Sequence, residues 1–352
     1  MKVLEVGDPV AIAAWQAISD RVWRHRPVLP AADASRFASI CTRLSGWATG
    51  RHFVSGDHAT VTAWCLPGGD TGHLGLYAAM PEAAAVHEVL NAAVSWLHGQ
   101  GVHTVLGPID GDAWERSRFS LGPDDAPPFM LEPENPPEDP KLWQEAGGMP
   151  SHRVLSQRQD DPAEAARILG MAAAPAREAG YRIVPLTSGN WRRLMLELHP
   201  MIPEVFAGGL TLGPLGPGDF LARFAPMAPL WRSGLSFVAM DAEGSVVGFL
   251  LGVPDLRPWL GRAGGVAGRM TLAWRIRHPR RAVLKTLGVA RAHRRSAVGH
   301  ALAHAFHARA AELEVPEVIH ALMAEDNPSF HMSRSIGGRP VRAHLLYGWH
   351  RA

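Results

Sequence analysis

The stretch that decides the fold is residues 282–301, AVLKTLGVARAHRRSAVGHA. Its first part, Val283-Leu284-Lys285-Thr286-Leu287-Gly288-Val289, is short, rich in branched side chains and bounded by turn signals, which predicts a buried strand. Its last part opens a helix. From Gly299 to Glu314, apolar residues recur at Leu302, Ala305, Phe306, Ala310 and Leu313, the three-and-four spacing of one buried face. Between them lies Arg294-Arg295-Ser296-Ala297-Val298-Gly299, basic and built of small side chains. Peptide N–H groups at a helix start, backed by the helix dipole and two guanidinium groups, make a cradle for a diphosphate.

Outward from that stretch, the chain repeats itself. Runs at 59–65 and 73–78, joined by Pro67-Gly68-Gly69-Asp70, read as a hairpin, followed by a helix over 82–98 and a strand over 102–106. This strand, helix, strand order matches the one formed by the strand at 283–289, the helix 299–314 and a strand at 317–323, so the spacing predicts an internal duplication. The first copy has Ala78-Ala79-Met80-Pro81-Glu82 where the basic turn lies in the second, with no glycine and no arginine. It is expected to hold no cofactor. The N-terminal copy starts with a strand at 2–6, a helix from Pro9 to about His25 and a second helix over 32–43, and a strand near 154–158 is expected to close it. Residues 120–140 are too broken by proline for a helix or inner strand, and read as a long loop or lid. Asp161 and Glu164 have capping-box spacing at the start of a linking helix. The second copy runs from a strand at 181–186 through helices, a hairpin over 235–253, a basic insertion at 257–281 and the quoted stretch to a helix from Asn327 and a last strand at 341–349.

Composition sets the outer bounds. A chain of 352 residues that is 47% hydrophobic can bury two cores. It has no apolar run of membrane-spanning length and no signal-peptide pattern at its start, and reads as cytoplasmic with no stable membrane association. Cys41 and Cys65 fit neither a metal nor a redox spacing. His300, His304 and His307 fall on one helix face, but nothing else supplies matched ligands, so no metal is expected. The net charge of +2 hides an uneven distribution: between Asp255 and Glu312 there is no acidic residue and there are twelve cations. A one-signed field of that extent implies an anionic partner.

These residues resemble the GNAT acyltransferase superfamily. The turn is similar to its acetyl-coenzyme A loop, Arg/Gln-x-x-Gly-x-Gly/Ala, with Arg294 first, Gly299 last and Ala297 in place of the first glycine. Trp96-Leu97, Gly101, Gly107-Pro108-Ile109, Pro127-Pro128-Phe129-Met130 and Ala146-Gly147-Gly148 add a likeness to bacterial tandem-GNAT proteins. The fold class implied is α/β, with two tandem GNAT-like domains, each a mixed, mostly antiparallel twisted sheet flanked by helices. Residues 1–160 would be a degenerate copy, 161–180 a linking helix and 181–352 the copy with the acyl-donor site.

The resemblance also implies roles. The donor is acetyl-coenzyme A or another acyl-coenzyme A and the acceptor a small-molecule amine. Leu287, Gly288 and Val289 would pair with the pantetheine arm, and Arg294, Arg295, Ser296, Ala297, Val298, Gly299, His300 and Ala301, with Asn327, would hold the cofactor. Glu325, Asp326 and His331 are candidate general bases at the end of the fifth strand, directly or through water. Ser333, or its neighbour Arg334, stands where many members place a tyrosine that protonates the departing thiolate. Coenzyme A satisfies two or three arginines. The surplus, including Arg269, Arg275, Arg277, Arg280, Arg281 and Arg291, is either paired with the acidic loop (Asp124, Asp125, Glu132, Glu134, Glu138, Asp139) or faces a macromolecular anion. That anion could be tRNA, as in the Fem-type tandem enzymes, or an acyl-carrier protein. Oligomeric state is left open.

Overall fold

In the computed structural model of the chain, which describes residues 1–23, 34–112, 114–122, 127–207, 213–261 and 264–351, the strand expected at 283–289 is Ala282–Val289 and the helix after it is Val298–Glu312. The expected helix ends near His25 and Ala32, the acids Asp124 and Asp125, and Arg262 of the basic span lie outside the described residues.

In chain order, the first half comprises β1 (Lys2–Glu5), α1 (Pro9–Trp23), α2 (Ala34–Ser45), β2 (Thr49–Ser55), β3 (Ala59–Cys65), β4 (Thr71–Ala79), α3 (Ala83–Gly99), β5 (Thr104–Gly107), β6 (Phe119–Ser120), α4 (Asp139–Glu145) and β7 (Met149–Gln159). The linker is two helices, α5 (Pro162–Ala172) and α6 (Ala174–Glu178). The second half comprises β8 (Arg182–Pro185), α7 (Trp191–Leu198), α8 (Ile202–Val205), α9 (Pro217–Phe224), β9 (Phe237–Met240), β10 (Val246–Pro254), α10 (Arg257–Leu260), α11 (Gly265–Arg277), β11 (Ala282–Val289), α12 (Val298–Glu312), β12 (Val318–Ala324), α13 (Pro328–Ser335) and β13 (Arg339–His350).

The two half-sheets join into one sheet of 13 strands among the described residues, in the order β1-β2-β3-β4-β5-β13-β7-β12-β11-β10-β9-β8, with β6 beside β13. The join is an exchange. β7, which ends the first half, pairs with β12, while β13, which ends the second, pairs with β5, and the two exchanged strands pair with each other. The strand expected at 154–158 therefore lines the fifth strand of the second half instead of closing the first. Helices cover both faces of each half, which is why β3 and β4 read as continuous buried runs. α12 buries Leu302, Phe306 and Ala310 against β9–β11, while α7 and α9 pack Leu194, Leu198 and Phe220 on the opposite face. No described helix is long and apolar enough to cross a membrane.

In each half the fourth and fifth strands are parallel and touch over only three residue pairs. β4 meets β5 at Thr71↔Thr104 to His73↔Leu106, and β11 meets β12 at Ala282↔Val318 to Leu284↔His320. Beyond those pairs the strands part. β11 also carries a bulge, because Leu251 faces Thr286 but Gly252 faces Leu284, leaving Lys285 as the extra residue.

Candidate functional site

The second-half splay is the candidate site, and its mouth is the turn from β11 to α12. After Ala290 the chain makes one short helical turn, Arg291–His293, and then reverses through Ala297, which adopts a left-handed conformation (φ 60°, ψ 11°). α12 starts only at Val298, so its first amides have no preceding turn to donate to. The Ala297 carbonyl accepts from Ala301, and no described group accepts the N–H of Val298, Gly299 or His300. A methyl on Gly299 would meet only Leu287 and Val289 side chains, each at 3.9 Å. These residues fit a diphosphate: adjacent free donors at a helix start, open space beside a glycine, and an exposed guanidinium at Arg295. Two features work against it. Glu204 of α8 takes the Arg291 N–H, and the exposed Arg294 is engaged with backbone, its Nε donating to the Val289 carbonyl at 3.3 Å.

Among the residues expected to bind the donor, Leu287 is half-buried on the α12 side, and Gly288 is pressed by Val205 and Phe249, either of which a side chain there would strike at 2.6–2.7 Å. Ser296 donates to the His293 carbonyl, and Val298 and Ala301 are core. Asn327 caps α13, its Oδ1 accepting from Ser329 N–H at 2.9 Å. The expected bases are brought to the end of β12 but stay on its surface. Glu325 reaches Arg153 of β7 at 3.9 Å, both half-exposed, and Asp326 and His331 are exposed. Ser333 is the exception, fully buried and 2.6 Å from His320 Nδ1.

That contact is the end of a chain of buried polar groups whose hydrogens can be placed. His307 Nδ1 lies 2.8 Å from the Ala303 carbonyl, which only accepts, so the proton is on Nδ1 and Nε2 is bare. His320 Nε2, 3.0 Å away, must then donate, leaving its own Nδ1 as the acceptor for the Ser333 hydroxyl. Burial holds both rings neutral, pushing His307 down to about 4 and His320 well below its ordinary value. Of the other two helix histidines, His304 is turned to the Ala166 carbonyl at 2.8 Å and His300 is half-buried in the first turn of α12. Sequence reasoning passed over His320 and Lys285. For His320 the signal was there, a lone polar residue in the otherwise apolar strand Val318–Ala324, whereas Lys285 stands beside Thr286 in its strand.

The basic span divides once it is folded. Arg281 is held by Asp255 at 2.5 Å and Glu317 at 3.6 Å, and Arg257 by Glu134 of the proline-rich segment. Arg275 lies between Trp259 and Trp274, 4.1 and 4.6 Å from the ring centres. Arg269, Arg277, Arg280 and Arg291 stay exposed.

No protein-family model matches this chain, and no curated protein matches it by sequence. Solved structures do match. A tandem GNAT protein from the clavulanic acid biosynthesis pathway is 14% identical, with 99% of this chain and 98% of that one covered and a TM-score of 0.52. A GCN5-related N-acetyltransferase from Sphaerobacter thermophilus is 12% identical over 99% and 95% of the two chains, with a TM-score of 0.45. The chain has the tandem GNAT fold.

Proposed function

We propose that the protein is an N-acyltransferase that moves an acyl group from an acyl-coenzyme A directly to an amine, with residues 181–352 carrying the donor site and residues 1–160 a copy that holds no cofactor. The observation that carries this reading is the run of unpaired N–H groups at Val298, Gly299 and His300, beside the edge of β11 that β12 leaves after Leu284. The diphosphate sits on those amides with Arg295 and Arg294, and the pantetheine arm lies along Leu287, Gly288 and Val289. The bound thioester supplies the activated acyl carbon. The acceptor amine comes in from the side between the halves, attacks that carbon and expels the thiolate. The proton it loses passes to a base at the end of β12, from among Glu325, Asp326 and His331.

Isothermal titration and thermal shift with coenzyme A and acetyl-coenzyme A test the donor site. Ligand at a hundred times its dissociation constant should stabilise the fold by about 2.7 kcal/mol. Arg295→Glu should lose that gain. No heat and no shift with either ligand, or an Arg295→Glu variant that responds like the parent, would sink the reading.

A second reading changes the donor to aminoacyl-tRNA or an acyl-carrier protein. It is favoured by the exposed Arg269, Arg277, Arg280 and Arg291, whose guanidinium groups form no ion pair among the described residues. A tRNA gel shift at two salt concentrations decides its RNA form: binding must be present and must weaken with salt.

A further inference from the structure

α11 rests on the body of the second half by one side only. Of its thirteen residues Ile276 alone is buried, and Leu272 packs beside it on the core that α7, α9 and β10 share. The outward side is not polar. Val266, Met270 and Trp274, four residues apart and therefore on one helix face, are 66%, 68% and 52% exposed, and Leu272 and Ile276 lie opposite them. A helix with apolar residues on both sides is ordinarily covered on both, and large apolar side chains gathered on one exposed face mark a contact surface.

The exposed ring is also held in place. The Arg275 guanidinium lies 4.6 Å from the centre of Trp274 and 4.1 Å from that of Trp259. The His278 ring stacks on Trp274 at 4.6 Å with 21° between the planes, and its Nδ1 lies 3.0 Å from the Trp274 carbonyl. Cations border the stripe. Arg277 continues the same face, Arg269 flanks it and Arg280 follows the helix, and all three are exposed. No acid interrupts them in sequence between Asp255 and Glu312, and Asp255 itself is held by Arg281.

We propose that this face of α11 docks on an anionic lipid surface, with Val266, Met270 and Trp274 entering the acyl boundary and Arg269, Arg277 and Arg280 at the headgroup phosphates. Charge and apolarity together select this occupant. A second copy of the chain would set arginines against arginines, and a tRNA would take the arginines but leave Val266 and Met270 in water. A bilayer interface satisfies both kinds of group, and tryptophan is at home there. At thirteen residues the helix is about 20 Å long, too short to span, so the association is peripheral and reversible. The face lies on a different element from the donor turn, and lipid binding does not require that coenzyme A binds.

Co-sedimentation of the full chain with vesicles of phosphatidylcholine alone, and of phosphatidylcholine and phosphatidylglycerol in equal parts, tests the proposal. The mixed vesicles should bind roughly a hundredfold tighter, since each arginine at such a surface is worth about fivefold, and salt should weaken the binding. Arg277→Gln should cost about fivefold. Met270→Gln removes apolar surface without adding charge and should cost about tenfold, and Val266→Gln should cost about fivefold. Both side chains are already in water, so the thermal midpoints of these variants should match the parent's. Failure to sediment with the mixed vesicles at low salt overturns the proposal, as does binding that neither Met270→Gln nor Val266→Gln weakens, which would leave the arginines acting alone. A self-association that Met270→Gln dissolves, or a tRNA complex that it weakens as much as it weakens lipid binding, would give the face to those partners instead.

Discussion

Between β4 and β5 the gap is filled by the chain that follows it. The Ile109 N–H donates to the Leu74 carbonyl at 2.7 Å, and the Leu76 N–H donates to Asp110 Oδ1 at 2.7 Å, with Asp110 Oδ2 held by Arg116. Between β11 and β12 no described backbone segment pairs with either strand beyond Leu284↔His320 in that way. The same parallel pair, parting after three residues, has become structural in one half and stays open in the other. What separates them is local: a Gly107-Pro108 corner that feeds the chain back along β4, against a basic turn that leads away from β11 into α12.

The strongest way to break this comparison is at Gly75. Its Cα is so close to the inserted segment that a methyl there would lie 1.8 Å from the Ile109 carbonyl oxygen. Gly75→Ala should cost about 3 kcal/mol or more, because backbone on both sides must shift. Urea denaturation measures it, and a loss below about 1 kcal/mol would mean that the first gap is not rigidly filled.

Acid should test both halves alike. His52 and His73 in the first half, and His307 in the second, are each pushed down to about 4 by burial. In the unfolded chain they titrate near 6.5, so below that pH the unfolded state binds the extra protons. The stability these rings contribute is complete above 6.5 and is lost as pH falls toward 4. Each should account for about 2 kcal/mol of lost stability between pH 7 and pH 5. His52→Gln and His307→Gln should each flatten the pH dependence of urea unfolding by that amount. A variant whose slope equals the parent's would show that the ring is hydrated.

The second gap is sharpened by Gly299. Its surroundings tolerate a methyl, so Gly299→Ala should leave stability within about 0.5 kcal/mol. That methyl occupies the space beside the free amides, and coenzyme A affinity should fall about tenfold, or 1.4 kcal/mol. Calorimetry of binding and unfolding on one sample separates the two effects.

Much of this fold is written locally. The strand at 282–289, its basic turn and the helix behind it follow from periodicity and turn chemistry, as does the duplicate around 59–106, because each element is decided by residues within one or two turns. The exchange of β7 and β13 was not legible. Both are ordinary strands, and nothing within either one says which fifth strand it will line. The same holds for the interior of the site. Lys285 and the Leu131 carbonyl that its amine meets are 154 positions apart in sequence, and Lys285 looks like a solvated cation until the proline-rich segment and β11 converge. The exposed acids at 325–326 were legible as the end of a strand, whereas the burial of Ser333 depends on how α13 packs over His320.

The smallest expected effect bears on the same pair of helix starts. α12 begins after Ala297 in the left-handed region, whereas α3 begins after Glu82 in an extended conformation (φ −114°, ψ 98°). A β-carbon in the left-handed region costs about 1 kcal/mol, an expense that glycine avoids at some loss through its freer unfolded chain. Ala297→Gly should therefore stabilise the protein by a few tenths to about 1 kcal/mol, and Glu82→Gly, with no such strain to relieve, should destabilise it. Ala297→Gly also removes the methyl nearest the free N–H groups, so coenzyme A affinity should rise in parallel. If both glycine variants are destabilising, the reversal at Ala297 is not the strained joint that divides the open half from the filled one.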